Sequence, residues 1–144
     1  MQCVKELLKR GKRLAILSNS SKRARFARER LIEWDFGELP LQRIVTSGEV
    51  AWSLFNRDDP FVAKFGNACT LLGWRGHDDF TSKLGDRLNL VPLEEASFLL
   101  TMGVAYAYDG KDKLFFDTVE DAWPLLRRAK DQGLPMLCCN PDKV

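Results

Sequence analysis

The stretch that decides the fold is RLAILSNSSKRA, Arg13 to Ala24. Four apolar residues, Leu14 to Leu17, stop on Ser18-Asn19-Ser20-Ser21, and basic residues follow at once. A short continuous apolar run predicts a strand buried on both faces. The row of small hydroxyl and amide side chains after it reads in two ways. It suits an ordinary strand-to-helix turn, because Ser and Asn are common helix caps. It also suits a phosphate site, because a hydroxyl, an amide and the first N–H groups of a helix together attract an anion. Next, SSKRARFARERLIEW steps Ala24, Ala27, Leu31 and Trp34 by three and four, which predicts a helix with a serine at its cap.

The same alternation runs outward in both directions. Upstream, QCVKELLKRG predicts a helix with Val4, Leu7 and Leu8 on one face and Gly11 as its stop. Downstream, RIVT reads as a second buried strand, and GEVAWSLF as a helix burying Val50, Leu54 and Phe55. Asp59-Pro60 marks a helix start, with Asp as cap and Pro at the first helical position. ACTLLGW and LNLV read as strands, PLEEA as a helical turn, and SFLLTMGVAY as one longer strand. DGKDKLFFDT is a loop or hairpin turning at Asp109-Gly110. In TVEDAWPLLRRAKDQG, Ala122, Leu125, Leu126 and Ala129 face inward, Thr118 is a candidate cap and Gly133 a stop. Pro124 must start that helix late or bend it. LPMLCCNPD ends as a strand running into Asn140-Pro141-Asp142. Strand and helix in alternation predict an α/β protein with largely parallel strands.

The 144 residues carry a net charge of +2, which hides an asymmetry. Residues 1–30 hold ten Lys or Arg against Glu6 and Glu29, a net of +8, and the remainder is net −6. The basic first segment attracts an anion, whether a nucleic acid, a charged surface or a small metabolite. No aromatic residues interleave with it in an RNA-binding pattern, which disfavours nucleic acid. No apolar run approaches the roughly 20 residues of a membrane span. The amino terminus has no apolar segment of signal-peptide length, so a cytoplasmic protein is expected. Cys3, Cys69, Cys138 and Cys139 lack CxxC spacing and are expected to be reduced thiols, the last two pointing to opposite faces of a strand. The single histidine, His77, stands alone in RGHDDF, so neither a zinc site nor a serine-hydrolase base is apparent.

Taken in order, ILSN at Ile16–Asn19, TSGE at Thr46–Glu49, the run EEASFLLTMG and the closing Asn140-Pro141-Asp142 resemble the haloacid dehalogenase (HAD) superfamily. More narrowly they resemble its IIA-type subclass, which has a large α/β cap and includes sugar-phosphate, phosphoglycolate and pyridoxal-phosphate phosphatases. The resemblance implies a partial Rossmann-like HAD core over residues 1–64, followed by most of an α/β cap over 65–144. It implies that Ser18 hydrogen-bonds the phosphoryl group in transfer and that Asn19 helps place it. Asn140 and Asp142 would lie where the cap meets the active-site mouth and select substrate. An Asx-Pro turn that simply ends a strand accounts equally for Asn140 and Asp142.

The departures from the family are as informative. Its chemistry begins from a D-x-D pair supplying nucleophile and acid/base, and no D-x-D occurs in this sequence. Its phosphate-binding Lys and its acidic Mg²⁺ cluster normally follow the Asn-Pro-Asp segment. KLGDRLNLV at Lys83–Val91 holds a Gly-Asp pair, but in the wrong place, between predicted cap strands. Without the nucleophile no aspartyl-phosphate forms, and without the carboxylates Mg²⁺ has no cage. The expectation is therefore an internal portion of a Mg²⁺-dependent phosphatase for a small phosphorylated metabolite, retaining no metal site and inactive by itself. The alternatives are a non-catalytic phosphometabolite-binding or regulatory protein, and an anionic-surface or nucleic-acid binder using residues 1–30. Unpaired edges on the strands LAILS and RIVT predict poor solubility or homo-oligomers.

Overall fold

The computed structural model describes residues 2–36, 43–75, 80–81 and 84–140. His77 and Asp142 lie outside the described residues. Five α-helices and eight strands occur among the described residues, in the order α1 (Gln2–Lys9), β1 (Ile16–Ser18), α2 (Ala24–Glu33), β2 (Ile44–Thr46), α3 (Ser47–Asn56), α4 (Pro60–Ala63), β3 (Ala68–Gly73), β4 (Asn89–Leu90), β5 (Phe98–Thr101), β6 (Tyr106–Tyr108), β7 (Lys113–Phe115), α5 (Trp123–Asp131) and β8 (Met136–Cys138). The protein is α/β, as its alternating pattern predicts.

The strands form two sheets. In the first, β1 and β2 pair in parallel across the α2 connection, with Leu17 opposite Val45 and Ser18 opposite Thr46. The second has the order β7-β6-β3-β5-β8. Its strands β3, β5 and β8 are parallel, and β4 pairs in parallel with the start of β3. Strand β6 pairs antiparallel with the end of β3, and β7 antiparallel with β6. One face carries Cys69, Leu71, Phe98 and Leu100 against Ala51 and Phe55 of α3 and Val62 of α4, so packing is continuous across residues 64 and 65. The Phe55 ring stacks on Phe98 at 6.0 Å and meets Phe80 edge-on at 6.3 Å. On the other face Leu72, Leu99 and Ala107 pack with Ala122 and Ala129, and Leu125 and Leu126 of α5 lie against them.

Burial follows this arrangement, and in several places departs from the sequence expectation. Strands β3 and β5 are covered on both faces. Strand β1 is not, because Leu17 is 86% exposed, and in β2 Val45 is 41% exposed. The described residues put α2 on one side of this pair and leave the Leu17–Val45 face largely open. In α3 the helical face turned inward carries Gly48, Ala51 and Phe55, so Val50 points out. SFLLTMGVAY is two strands, β5 and β6. After Thr101 the chain reverses, with the Met102 and Gly103 N–H groups both donating to the Leu72 carbonyl, and it returns antiparallel to β3. Gly103 permits this reversal because it lies directly against the Trp74 ring, leaving no room for a Cβ.

Local signals held where one residue decides. Asp59 caps α4 by accepting the Phe61 N–H at 3.0 Å, with Pro60 at the first position. Asp109 accepts the N–H groups of Lys111 and Asp112, and Gly110 turns the hairpin at φ +91. Pro124 starts α5 late, after a 3-10 turn at Glu120–Ala122. Thr118 is not the cap there: Asp121 instead accepts the N–H groups of Asp117 and Thr118.

Candidate functional site

Ser18 is the last residue of β1, at the carboxyl end of a parallel strand, where ligands bind in open α/β sheets. Its Oγ accepts the Ser20 N–H at 3.2 Å, so the hydroxyl proton remains for donation. Ser20 Oγ accepts the Lys22 N–H at 3.3 Å in the same manner. Asn19 is exposed between them. The loop is therefore a pair of overlapping hydroxyl turns, and no serine caps α2. The cap position belongs to Arg23, whose side chain makes no capping bond.

The N–H at the start of α2 has another partner. Ala24 donates to Glu49 of α3 at 3.0 Å, and Arg23 grips the same carboxylate through Nε at 2.8 Å and Nη2 at 3.0 Å. Those bonds, chiefly from Arg23, hold the Glu49 carboxyl below its ordinary value against the opposing effect of burial. The Arg23 guanidinium also lies 3.7 Å above the Trp52 ring. An internal carboxylate thus occupies the helix terminus that sequence reasoning offered to a phosphate. The Ser18 end of the loop carries no such carboxylate bond among the described residues.

That end opens on a cleft of about 310 Å³, lined by Ser18, Thr46 and Ser47, by Leu17, Val45 and Val50, and by Leu137, Cys138 and Cys139 of the β8 segment. Ser18 and the residues just before Asn140 therefore share one cleft. Asn19 and Asn140 are not among its lining residues. Asn140 is half-buried; its carbonyl accepts the Cys138 thiol at 3.3 Å, and its side-chain Oδ1 is buried with no partner among the described residues. Cys138 and Cys139 do part to opposite environments, one exposed and one buried. Burial pushes the Cys139 thiol up to about 12, and the Cys69 thiol likewise.

The donor set was tested against Mg²⁺, a hard cation that takes carboxylate, carbonyl and water oxygens. Around the cleft stand hydroxyls and thiols, and the carboxylate tied into the loop, Glu49, is committed to Arg23 and Ala24. No three His, Cys, Asp or Glu side chains among the described residues come together as a metal site. These residues do not fit Mg²⁺.

Thr46, Gly48 and Glu49 are the contributors that sequence reasoning did not assign to the loop. The signal was present: Thr46-Ser47-Gly48-Glu49 has the T-x-x-E spacing of a capping box. Thr46 does accept the Glu49 N–H at 3.0 Å, but the Glu49 side chain reaches across to the loop.

Among solved structures, the crystal structure of a hydrolase of the haloacid dehalogenase-like family from Brucella suis 1330 matches this chain with a TM-score of 0.69. The fold is haloacid dehalogenase-like. The match covers 98% of this chain at 23% identity, and 46% of that hydrolase, so the chain spans about half its length. No family model matches the chain, and no curated protein does. No helix among the described residues is long and apolar enough to cross a membrane.

Proposed function

We propose that this chain forms part of the phosphoryl-binding framework of a HAD-type, IIA-like phosphatase, acting in the cytoplasm on a small phosphate ester. One observation carries the reading: Ser18 ends a parallel strand beside an open cleft, with its Oγ lone pair engaged by Ser20 and its proton left to donate. The likeness in fold supports it. Residues 1–64 supply the core portion and 65–144 the cap portion. Ser18 holds a phosphate oxygen, Asn19 assists, and the Asn140–Asp142 segment contributes to substrate choice beyond the cleft. The Mg²⁺-dependent step through an aspartyl-phosphate belongs to groups this sequence lacks, so the chain alone binds without turnover.

The test is calorimetric titration of the purified protein with inorganic phosphate and with small phosphate esters, beside a phosphatase assay with and without Mg²⁺. Saturable binding that Ser18→Ala weakens about tenfold is expected, matching loss of one hydrogen bond to a charged group. Featureless titrations would remove the reading, and Mg²⁺-dependent turnover free of contaminants would remove the prediction of inactivity.

A regulatory phosphometabolite-binding role uses this same loop and is favoured by the failure of the surrounding donors to fit Mg²⁺. It predicts the same binding, with tighter affinity for one ester than for inorganic phosphate.

A further inference from the structure

We propose that the first turn of α3 is the positioning device for the Ser18–Arg23 loop, with Thr46, Gly48 and Glu49 as positioning residues that act on a bound phosphate only through Ser18. The inference rests on the phosphoryl-binding reading and deepens it. Thr46 Oγ1 donates to the Lys22 carbonyl at 2.6 Å, and the Gly48 N–H donates to the Ser20 carbonyl at 3.1 Å. Glu49 accepts from Ala24 and Arg23, as described. Ser20 and Lys22 of the loop, and Ala24 at the start of α2, are thus tied to one helical turn and its cap. A Cβ on residue 48 would overlap the Ser21 carbonyl, so the loop lies directly on the helix backbone.

The consequence is local. With its carbonyl fixed by Gly48, Ser20 presents its N–H to Ser18 Oγ at 3.2 Å. That bond consumes a lone pair and keeps the hydroxyl proton for an incoming acceptor. Thr46 is fully buried and accepts from Glu49 while its one hydroxyl proton goes to Lys22, so it has no donor left for a phosphate oxygen. A group so placed acts on geometry and not on substrate.

Thr46→Val keeps the shape and removes the hydroxyl; Thr46→Ser restores it. The readouts are calorimetric affinity for inorganic phosphate and the hydrogen-exchange rates of single amides by NMR, on the purified protein. Thr46→Val should weaken phosphate binding about tenfold and speed Ser20 exchange about tenfold, as expected for one or two lost hydrogen bonds. Leu71 and Leu100 in the second sheet should keep their protection, and Thr46→Ser should return both readouts to wild type. Glu49→Gln should speed Ala24 exchange in the same selective way, and serves where Thr46→Val does not fold. Unchanged Ser20 exchange, or equal loss of protection throughout, would overturn the proposal. If the wild-type protein binds no phosphate, the phosphoryl reading falls, while selective Ser20 exchange still decides the positioning.

Discussion

Glu49, the third residue of α3, accepts the first backbone N–H of α2, from Ala24, at 3.0 Å. One carboxylate therefore joins the starts of two helices, and Arg23 closes the arrangement from the side at 2.8 Å. Carboxylates are favoured at helix N-termini because both the unpaired N–H groups and the helix dipole attract negative charge.

Glu49→Gln should cost about 1–3 kcal/mol of stability at pH 7, the range for a charge-assisted, partly buried hydrogen-bond set. The pH dependence follows from the depressed carboxyl value. The contribution is present above the ordinary value of 4.5 and is lost as pH falls through the lower folded-state value. Urea melts of both proteins should differ at pH 7 and draw together as the pH falls below 4.5. A constant gap across that window would contradict the assignment.

Gly48→Ala should destabilise by about 1–3 kcal/mol, the typical cost of forcing an atom into filled space. The colliding atom is the backbone carbonyl of Ser21, which cannot swing aside as a flexible side chain would. Thermal denaturation checks this, and a melting temperature equal to wild type would show that the loop can lift off α3.

Phe55→Ala should cost about 3–5 kcal/mol by opening a cavity. Its ring is 3% exposed and packs between Phe80 and Phe98, so it fastens α3 to the second sheet. Because α3 also carries the Ser18 loop, any phosphate binding should weaken together with stability in this variant. Denaturant midpoints and calorimetry on one preparation test the link.

Two of the four thiols should react with Ellman's reagent at about pH 8 in the native protein, and all four after denaturation. Cys3 and Cys138 are exposed, whereas Cys69 and Cys139 are buried with values raised to about 12 by desolvation. Rapid reaction of four thiols without denaturant would contradict the packing of Cys139 against α3.

The sequence by itself determined what depends on neighbouring residues. Asp59-Pro60 specifies a helix start and Asp109-Gly110 a hairpin turn, because caps and turns act within a few positions. The alternation of its strands and helices was enough for the α/β class, and the ordered motifs ILSN, TSGE and Asn140-Pro141-Asp142 for the resemblance that the haloacid dehalogenase-like fold matches. Only the tertiary structure decided that SFLLTMGVAY folds back as β5 and β6, since the reversal needs the Leu72 carbonyl and the Trp74 ring, both about thirty residues earlier. Only it decided that Leu17 is open to solvent, because exposure depends on what covers a face and not on the strand's own residues. The loop shows the same division. Ser18-Asn19-Ser20 announces a strand ending in hydroxyls, but whether α2's first N–H awaits an anion depends on Glu49, twenty-five residues away. A carboxylate that far along the chain reaches the helix terminus only because β1 and β2 pair in parallel and bring the starts of α2 and α3 side by side.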